Sequence, residues 1–271
     1  MGEREPGGDD VLALDEPDPG VVRLTLNRPH RSNALTAELM SGLGGALDRI
    51  SGDPDVRVVV LAGAGTAFCS GFDLEEIEGT WALPLPELLS AQQNWALTTA
   101  RLAELAVPVI AAVDGPAVGA GMSLALAADL RVATQRSRFA AAFVRIGLSG
   151  ADLGLSWTLP RVVGSGVAAE LMLTGRELGG EQAARLGLVN SICEPELLHT
   201  AALELAGEIG ANSPFGVRLT KQALRTGQDA SSLRAAIDNE NRNQLLASRS
   251  EDMAESMAAR TQRRTPDYRN R

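Results

Sequence analysis

The sequence of 271 residues contains very little of several residue types that carry common enzyme chemistry. It has two histidines, His30 and His199, and two cysteines, Cys69 and Cys193. So few imidazole and thiol groups exclude a zinc site of ordinary ligand spacing and a disulfide framework. Neither histidine lies near a G-x-S-x-G segment, which argues against a serine–histidine–aspartate triad. Carboxylates and backbone N–H groups are therefore the candidates for chemistry, and no metal is expected.

Aromatic residues make up only 3% of the chain, and Lys221 is the only lysine. Alanine, leucine, valine and glycine must consequently fill the core, and any bound anion must be held by arginine or by backbone N–H groups. The 25 basic residues are outnumbered by 34 acidic ones, which gives a net charge of −9. This balance argues against nucleic acid as a partner.

The sequence also lacks long apolar runs. No segment reaches the roughly 18 consecutive apolar residues that a membrane span requires. Residues 1–10 are charged and lack the apolar run of a signal peptide. We therefore expect a cytoplasmic protein without membrane association. The length fits one large α/β domain, which can bury about three quarters of the surface of its unfolded chain.

The first two thirds of the chain alternate between strand and helix signals. Residues 11–14 and 21–26 predict a β-hairpin, and Thr36 is a candidate N-cap for the helix that follows. Unbroken apolar runs at 58–61 and 109–113 predict strands buried on both faces, because a half-exposed strand would alternate apolar and polar residues. This order predicts an α/β fold with right-handed crossovers.

A nearly all-apolar segment at 119–128 predicts a buried helix. In the last third of the chain helical patterns dominate, and only residues 189–192 predict a further strand, at an edge. We therefore predict two regions, an α/β core at 1–193 and a helical C-terminal region at 194–271. The helical region is expected to pack on the core or on a neighbouring subunit.

Two loops rich in small residues each follow a strand and precede a helix, at 63–74 and 114–123. Backbone without bulky side chains can approach a ligand closely, and the first N–H groups of a helix are unpaired donors at the positive end of its dipole. At the carboxyl ends of neighbouring strands, the two loops could direct two N–H groups at one oxygen, as in an oxyanion hole. Tight turns alone would explain the glycines equally well.

Several segments occur together in the order of one family. They are Leu26-Asn27-Arg28-Pro29, Ser32-Asn33-Ala34-Leu35, and residues 58–63, 68–74, 108–115, 119–121, 159–164, 173–175 and 183–189. Over most of the chain this pattern resembles the crotonase, or enoyl-CoA hydratase/isomerase, superfamily. The resemblance implies a spiral core of ββα units, a helical C-terminal trimerisation region and a homotrimer or dimer of trimers. It also implies an acyl-CoA thioester substrate, with coenzyme A as part of the substrate and no permanently bound cofactor.

The resemblance assigns roles to individual residues. Its pattern makes the N–H groups of Phe72 and Ala120 the oxyanion-hole donors. It implies acyl-CoA contacts at Arg28, Arg31, Ala34, Ala67, Cys69, Gly71, Asp73 and Leu74. Arg28 and Arg31 can offer bidentate forks to the CoA phosphates, although solvated surface charges would give the same pattern.

The sequence departs from the hydratase pattern at two positions. The resemblance places Ser123 and Phe143 where hydratases carry a pair of glutamates, so hydration by two carboxylates is in doubt. No histidine is within local reach of Ser123. This residue therefore fits a small side chain that packs closely and hydrogen-bonds back to a carbonyl.

Asp152 is the remaining candidate acid, base or nucleophile. Members of the superfamily with an aspartate here include dienoyl-CoA isomerases and a 4-chlorobenzoyl-CoA dehalogenase, although one extra residue separates Gly147 from Asp152 in this chain. The alternative is that Asp152 is the N-cap of a helix that begins at Leu153.

Three other side chains have ordinary structural interpretations. Asp73 fits helix capping, with an acid–base role as the alternative. Asp129 is expected to end the buried helix and to pair with an arginine, and Trp157 is expected to pack in the core.

The sequence thus leaves three hypotheses for function. The first is an acyl-CoA enzyme that stabilises a thioester enolate or oxyanion with two N–H groups. The second is a thioester hydrolase or dehalogenase-like enzyme that uses Asp152. The third is an acyl-CoA-binding protein without catalysis.

Overall fold

The computed structural model of the protein describes residues 10–270. Its strands are β1 (Leu12–Asp18), β2 (Val21–Leu26), β3 (Val58–Gly63), β4 (Val109–Val113), β5 (Pro116–Val118), β6 (Leu130–Thr134), β7 (Arg138–Ala140), β8 (Leu178–Gly179) and β9 (Ser191–Cys193). The central sheet has the order β1-β2-β3-β4-β6-β9, and a small second sheet has the order β5-β7-β8. In the central sheet β1 and β2 form an antiparallel hairpin, and all other neighbours pair in parallel. The predicted α/β fold, hairpin and edge strand are confirmed.

The described part of the chain contains eleven α-helices. They are α1 (Ala37–Gly52), α2 (Leu74–Trp81), α3 (Leu85–Glu104), α4 (Ala120–Ala127), α5 (Leu155–Val163), α6 (Ser165–Thr174), α7 (Gly180–Arg185), α8 (Leu198–Gly210), α9 (Pro214–Gln228), α10 (Leu233–Ala247) and α11 (Glu251–Gln262). As predicted, Thr36 caps α1, because its hydroxyl accepts a hydrogen bond from the Leu39 N–H at 3.1 Å. All eight residues of α4 are buried, which confirms the prediction of a buried helix.

The central strands are buried on both faces, as their unbroken apolar runs predict. Alternate residues of β3, Val58 and Val60, belong to a smaller core that lies under α8. The helix contributes Leu198, Ala202 and Ala206 to it, which recur every four residues on one helix face. The other strand face belongs to the main core together with α1, α3 and α4.

The helix α8 lies within the predicted helical region at 194–271 and covers one face of the sheet. This packing agrees with the expectation that the region contacts the core. The boundary at residue 193 stays a prediction. Residues 1–9 lie outside the described range. The prediction that residues 1–10 do not form a signal peptide therefore falls almost entirely outside the described residues. Between residues 10 and 270, none of the helices is long and apolar enough to cross a membrane.

Two predictions about single side chains are wrong. Trp157 is 45% exposed rather than packed in the core, and the Arg161 guanidinium stacks on its ring at 3.8 Å. Asp129 pairs with a lysine rather than an arginine, since Lys221 Nζ lies 2.6 Å from Asp129 Oδ2. Lys221 comes from α9, 92 positions further along the chain, so no local pattern shows this contact.

Candidate active site

The two small-residue loops lie side by side after β3 and β4. The Cys69 N–H donates to the Pro116 carbonyl at 2.8 Å, and the Val118 N–H donates to the Cys69 carbonyl at 2.9 Å. A Cβ atom on Gly71 would lie 2.9 Å from the Val118 oxygen, and one on Gly121 would lie 2.2 Å from the Cys69 oxygen. Glycine at these two positions therefore lets the loops approach each other closely.

The N–H groups of Phe72 and Ala120 stand out at this junction. Neither has an acceptor among the residues that the structure describes, whereas the neighbouring N–H groups of Asp73 and Gly119 both donate to carbonyls. Ala120 is the first residue of α4, where a helix leaves its N–H unpaired at the positive end of its dipole. A Cβ on Gly71, which precedes Phe72, would lie 3.8 Å from the Ala120 nitrogen. The two free donors thus belong to adjoining segments.

A cavity of about 240 Å³ adjoins Phe72. Its lining consists of Phe72, Ile77, Trp81, Gln92, Phe143, Leu148, Ser149, Ala151 and Asp152. Among these described lining residues, Asp152 alone carries a carboxyl group. The structure therefore brings together Phe72, Phe143 and Asp152, which the sequence singled out in separate segments.

The carboxylate of Asp152 is held through one of its two oxygens. Oδ1 accepts from Gln92 Nε2 at 2.6 Å and from the Leu153 N–H at 2.8 Å. No donor from the described residues binds Oδ2, which leaves this oxygen available to a ligand. Burial raises the pKa of Asp152, and the Leu153 N–H and the Gln92 amide offset this only in part.

Asp152 does not cap a helix, so that alternative is wrong. The helix α5 begins at Leu155 and its N-cap is Gly154. Leu153, which lies between Asp152 and Gly154, has a φ of 48°. This left-handed backbone conformation costs a residue with a side chain about 1–2 kcal/mol. In this irregular turn the carboxyl group of Asp152 accepts a hydrogen bond from Gln92 and does not cap the N-terminus of α5.

Ser123 contacts the turn that contains Asp152. Its side chain is buried, and the hydroxyl lies 3.1 Å from the Asp152 carbonyl and 3.5 Å from the Gly119 carbonyl. The prediction that Ser123 packs closely and bonds back to a carbonyl is confirmed. Because this hydroxyl faces two backbone oxygens, it joins the segment of Ala120 to that of Asp152.

Two aromatic rings pack against Phe72 at the edge of the cavity. The Phe72 ring lies 4.7 Å from the Trp95 ring and 6.4 Å from the Phe143 ring, measured between centroids. Trp95 follows Gln92 by three positions on α3, so the two share a helix face. One helix therefore contacts both the carboxylate of Asp152 and the residue that provides a free N–H group.

Sequence reasoning missed Gln92, Trp81 and Trp95. The partner of Gln92 lies 60 positions away in the sequence. Only the fold reveals such a pair. The spacing of Gln92 and Trp95 was the one local signal that both face the same way.

The predicted acyl-CoA residues near the chain start form a separate charged cluster. Arg28 donates to the Asp73 carboxylate at 2.9 Å and to the Ala34 carbonyl at 2.6 Å. Arg31 forms an ion pair with Glu75 and lies 3.8 Å from Asp73. Burial alone would raise the pKa of Asp73, but the Arg28 hydrogen bond, the Glu75 N–H and the two arginine charges lower it below its usual value.

Asp73 is the N-cap of α2 and accepts from the Glu75 N–H at 3.2 Å, as the capping interpretation predicts. The Arg28 side chain is 15% exposed and fully engaged, so a solvated surface charge is the wrong description for it. That description remains open for Arg31, which is 39% exposed. Arg31 is thus the freer of the two arginines.

The other predicted contact residues have mixed surroundings. The Ala67 carbonyl accepts from the buried Asn33 side chain at 2.7 Å, and Leu74 is 61% exposed at the start of α2. Burial raises the pKa of the Cys69 thiol to about 12, so this thiol stays protonated at neutral pH. In the described part of the chain, no group of three or more histidine, cysteine and acidic side chains is arranged to hold a metal ion.

Comparison with known proteins identifies the class to which this fold and site belong. The profile of the family "Enoyl-CoA hydratase/isomerase" matches residues 16–271. The chain therefore belongs to the enoyl-CoA hydratase/isomerase family, and it is an enzyme of this superfamily that acts on acyl-CoA. The resemblance seen in the sequence is confirmed.

Individual relatives cover nearly the whole chain. The Mycobacterium leprae protein named "Probable enoyl-CoA hydratase echA12" is 42% identical over 94% of this chain and 88% of its own length. The 1,2-epoxyphenylacetyl-CoA isomerase of Escherichia coli is 37% identical over 94% of this chain and 97% of its own. The crystal structure of an enoyl-CoA hydratase from Bacillus anthracis superposes with a TM-score of 0.91 at 32% identity, covering 96% of this chain and all of that one. The predicted crotonase-type fold is confirmed.

Proposed function

We propose that the Phe72 and Ala120 N–H groups bind the thioester oxygen of an acyl-CoA. When a proton leaves the carbon beside the thioester, negative charge moves onto that oxygen. Two fixed donors stabilise the resulting enolate more than the ground state, which lowers the barrier. Loss of one such donor typically costs about 3 kcal/mol of barrier.

Asp152 is the group that moves the proton in this proposal. Its Oδ2 takes a proton from the α-carbon of a β,γ-unsaturated acyl group, and the electron pair of that C–H bond forms the enolate. The carboxylic acid then returns the proton to the γ-carbon as the double bond shifts to the α,β position. One carboxyl group suffices, and no water is consumed, so the reaction is a double-bond isomerisation.

The observation that carries this choice is the single carboxyl group at the cavity. Hydration by the paired-glutamate route needs a second acid or base to handle the attacking water. The Ser123 hydroxyl faces backbone carbonyls, and Phe143 contributes an apolar ring. The E. coli relative named as an isomerase supports this choice, while the M. leprae relative carries the name of a hydratase.

Incubation of the protein with a panel of 2-enoyl-CoA and 3-enoyl-CoA thioesters in D₂O, followed by mass spectrometry, tests the proposal. We expect 3-enoyl thioesters to convert to chromatographically distinct 2-enoyl thioesters without gain of D₂O, and deuterium to enter the product only where Asp152 exchanges the proton with solvent before returning it. Efficient conversion of 2-enoyl thioesters to products heavier by one D₂O would contradict it. Absence of turnover across the panel would instead favour an acyl-CoA-binding protein.

A nucleophilic role for Asp152 is the second candidate, because Oδ1 accepts two hydrogen bonds while Oδ2 has no donor within residues 10–270. Attack of Oδ2 on a thioester carbonyl would expel the CoA thiolate and leave a mixed anhydride on the enzyme, and attack on a halogenated aryl carbon would expel halide and leave an aryl ester. Water would then release it. Intact mass measurement after a rapid quench detects such an adduct, and its repeated absence during a single turnover rules the route out.

For coenzyme A, we propose that Arg31 is the main phosphate contact. Arg28 is 15% exposed and pairs with the buried Asp73, whereas Arg31 is 39% exposed and pairs with the exposed Glu75, so Arg31 is the more accessible of the two. Backbone at Ala34, Ala67, Cys69, Gly71 and Leu74 would border the rest of the CoA moiety. An Arg31→Ala substitution is expected to raise the Kd of CoA, measured by calorimetry, while Arg31→Lys should retain part of the affinity.

We also propose that the chain forms a homotrimer or a dimer of trimers through its C-terminal helices. The helix α10 has no buried residue in the single chain. Leu233, Leu245 and Leu246 on α10 are 78%, 69% and 57% exposed. Such apolar exposure favours contact with another copy. Light scattering should give three or six times the mass of the chain.

A further inference from the structure

The few aromatic residues of this protein are concentrated at one place. The sequence has five phenylalanines, three tryptophans and one tyrosine. Phe72, Trp81 and Phe143 line the cavity beside Asp152, and Trp95 stacks on Phe72. Four of the nine rings in the chain therefore surround a single cavity.

The main core contains four rings, Phe68, Phe139, Trp95 and Phe143, and the other largest fully buried side chains are leucine, isoleucine and methionine. Packing in the core therefore accounts for Trp95 and Phe143. It does not account for Phe72 and Trp81, which line the cavity and remain partly or largely exposed. A surface built from rings in a protein that otherwise packs with aliphatic residues points to a ligand that rings recognise.

We propose that the acyl group bound in this cavity carries an aromatic ring, so that the substrate is an aryl-acyl-CoA without charge on the ring. The proposal rests on the proposed function, since it takes the cavity as the acyl site. Phe72 and Phe143 already lie at a centroid distance typical of aromatic pairs, which is about 4.5–7 Å. A further ring between the cavity walls would make contacts of the same kind.

The size and exposure of the cavity agree with a compact, apolar occupant. Its volume of about 240 Å³ is below the roughly 300–1,000 Å³ of sites that hold a whole ligand, so it suits the acyl group alone. Trp81 and Leu148 line it yet remain 43% and 37% exposed. An aryl group would cover these surfaces and remove them from water. The described lining offers no cation for an acidic substituent.

Calorimetric titration of the full protein with three ligands tests the proposal. The ligands are phenylacetyl-CoA, cyclohexylacetyl-CoA and CoA alone. The two thioesters have the same carbon skeleton and differ only in the aromatic character of the ring, and neither has a double bond that can shift. We expect phenylacetyl-CoA to bind about two- to tenfold more tightly than cyclohexylacetyl-CoA, since aromatic pairs contribute about 0.5–1.5 kcal/mol beyond buried area.

Two tryptophans of similar exposure, Trp81 at 43% and Trp157 at 45%, provide a matched control. Trp81→Leu removes a ring of the cavity, and Trp157→Leu removes a ring on α5 that does not line it. We expect Trp81→Leu to abolish most of the preference for phenylacetyl-CoA and Trp157→Leu to preserve it. Phe143→Leu removes another ring of the lining, should act like Trp81→Leu and provides the test if the first variant does not fold.

The outcomes separate this inference from the proposed function. Equal affinity for the two thioesters, with both tighter than CoA, would overturn the aryl assignment and leave acyl-CoA binding intact. Affinities no better than that of CoA would overturn the acyl site itself. A preference for phenylacetyl-CoA that survives both Trp81→Leu and Phe143→Leu would also contradict the assignment to this cavity.

Discussion

Two aspartates lie near Phe72, and their surroundings drive their pKa values in opposite directions. Asp73 follows Phe72 in the chain, and the arginines beside it lower its pKa despite burial. Asp152 reaches the same region from a distant segment, and burial raises its pKa because its partners are neutral N–H donors. In the proposed mechanism, the charge of the neighbouring groups, rather than proximity to Phe72 in the sequence, distinguishes the proton-transfer group from the structural carboxylate.

The contrast also separates two tasks. Asp73 holds Arg28 and caps α2, so it fixes the shape of the first loop. Asp152 lines the cavity, its Oδ2 has no donor among the described residues, and burial raises its pKa, which suits a group that takes and returns a proton. Substitution of each aspartate by asparagine should therefore damage different properties of the protein.

The largest expected effect is on turnover in Asp152→Asn. Asparagine keeps the shape but cannot take or return a proton, so we expect kcat to fall by about 10²–10⁴-fold. The Kd of a saturated acyl-CoA, measured by calorimetry, should change little. If turnover persisted in this variant for every acyl-CoA that the protein converts, Asp152 would have no part in the chemistry.

The next effect is on stability in Asp73→Asn. This substitution leaves the partly buried Arg28 guanidinium without its counter-charge, which we expect to cost on the order of 2 kcal/mol, less than the roughly 3–5 kcal/mol for fully buried pairs. Urea unfolding should show a lower midpoint with an unchanged slope. Activity per folded molecule should stay much closer to the parent than in Asp152→Asn. A variant of normal stability with lost turnover would reverse the two assignments.

The sequence predicts most of the fold because its signals there are local. The apolar runs of β3 and β4 and the cap at Thr36 act within one turn or one strand, and the structure has them where the pattern placed them. The failures concern contacts between distant segments. Lys221 pairs with Asp129 from α9, and Trp157 faces solvent although its helix was predicted.

The same division holds at the candidate site. The sequence predicts the two loops from their small residues. It also singles out Asp152, because the two glutamate positions of the hydratase pattern hold Ser123 and Phe143. The direction of each pKa shift is not visible, because it depends on whether a cation or an amide from elsewhere lies beside the carboxyl group. Gln92 at 60 positions from Asp152, and Arg28 at 45 from Asp73, become neighbours only in the folded chain.

The two aspartates should also give opposite pH dependence of stability. The raised pKa of Asp152 means that its ionised form is disfavoured in the fold, so its unfavourable contribution appears as pH rises above the unfolded value of about 3.9. Asp152→Asn should therefore be more stable than the parent at about pH 7 and lose this advantage at about pH 3.5. The lowered pKa of Asp73 stabilises the fold above that unfolded value and is lost in acid.

The deficit of Asp73→Asn should accordingly shrink as the pH falls through the folded pKa of Asp73. Thermal unfolding of the parent and both variants across this range measures the two trends in one experiment. Parallel trends for the two variants would show that the carboxyl groups do not differ in the way that their neighbours indicate.

The smallest expected effect comes from Gln92, whose amide favours the charged form of Asp152. Gln92→Leu should raise the pKa of Asp152, so the acidic limb of kcat/KM against pH should move upward by about one unit. A hydrogen bond to a charged group contributes about 1.5 kcal/mol, and one pH unit corresponds to 1.36 kcal/mol. The exposed neighbour Gln93 provides the matched control, since Gln93→Leu leaves the carboxylate untouched. An unshifted profile in Gln92→Leu would mean that the Gln92 amide does not influence the pKa of Asp152. The contrast between the two aspartates would then depend on the arginines beside Asp73.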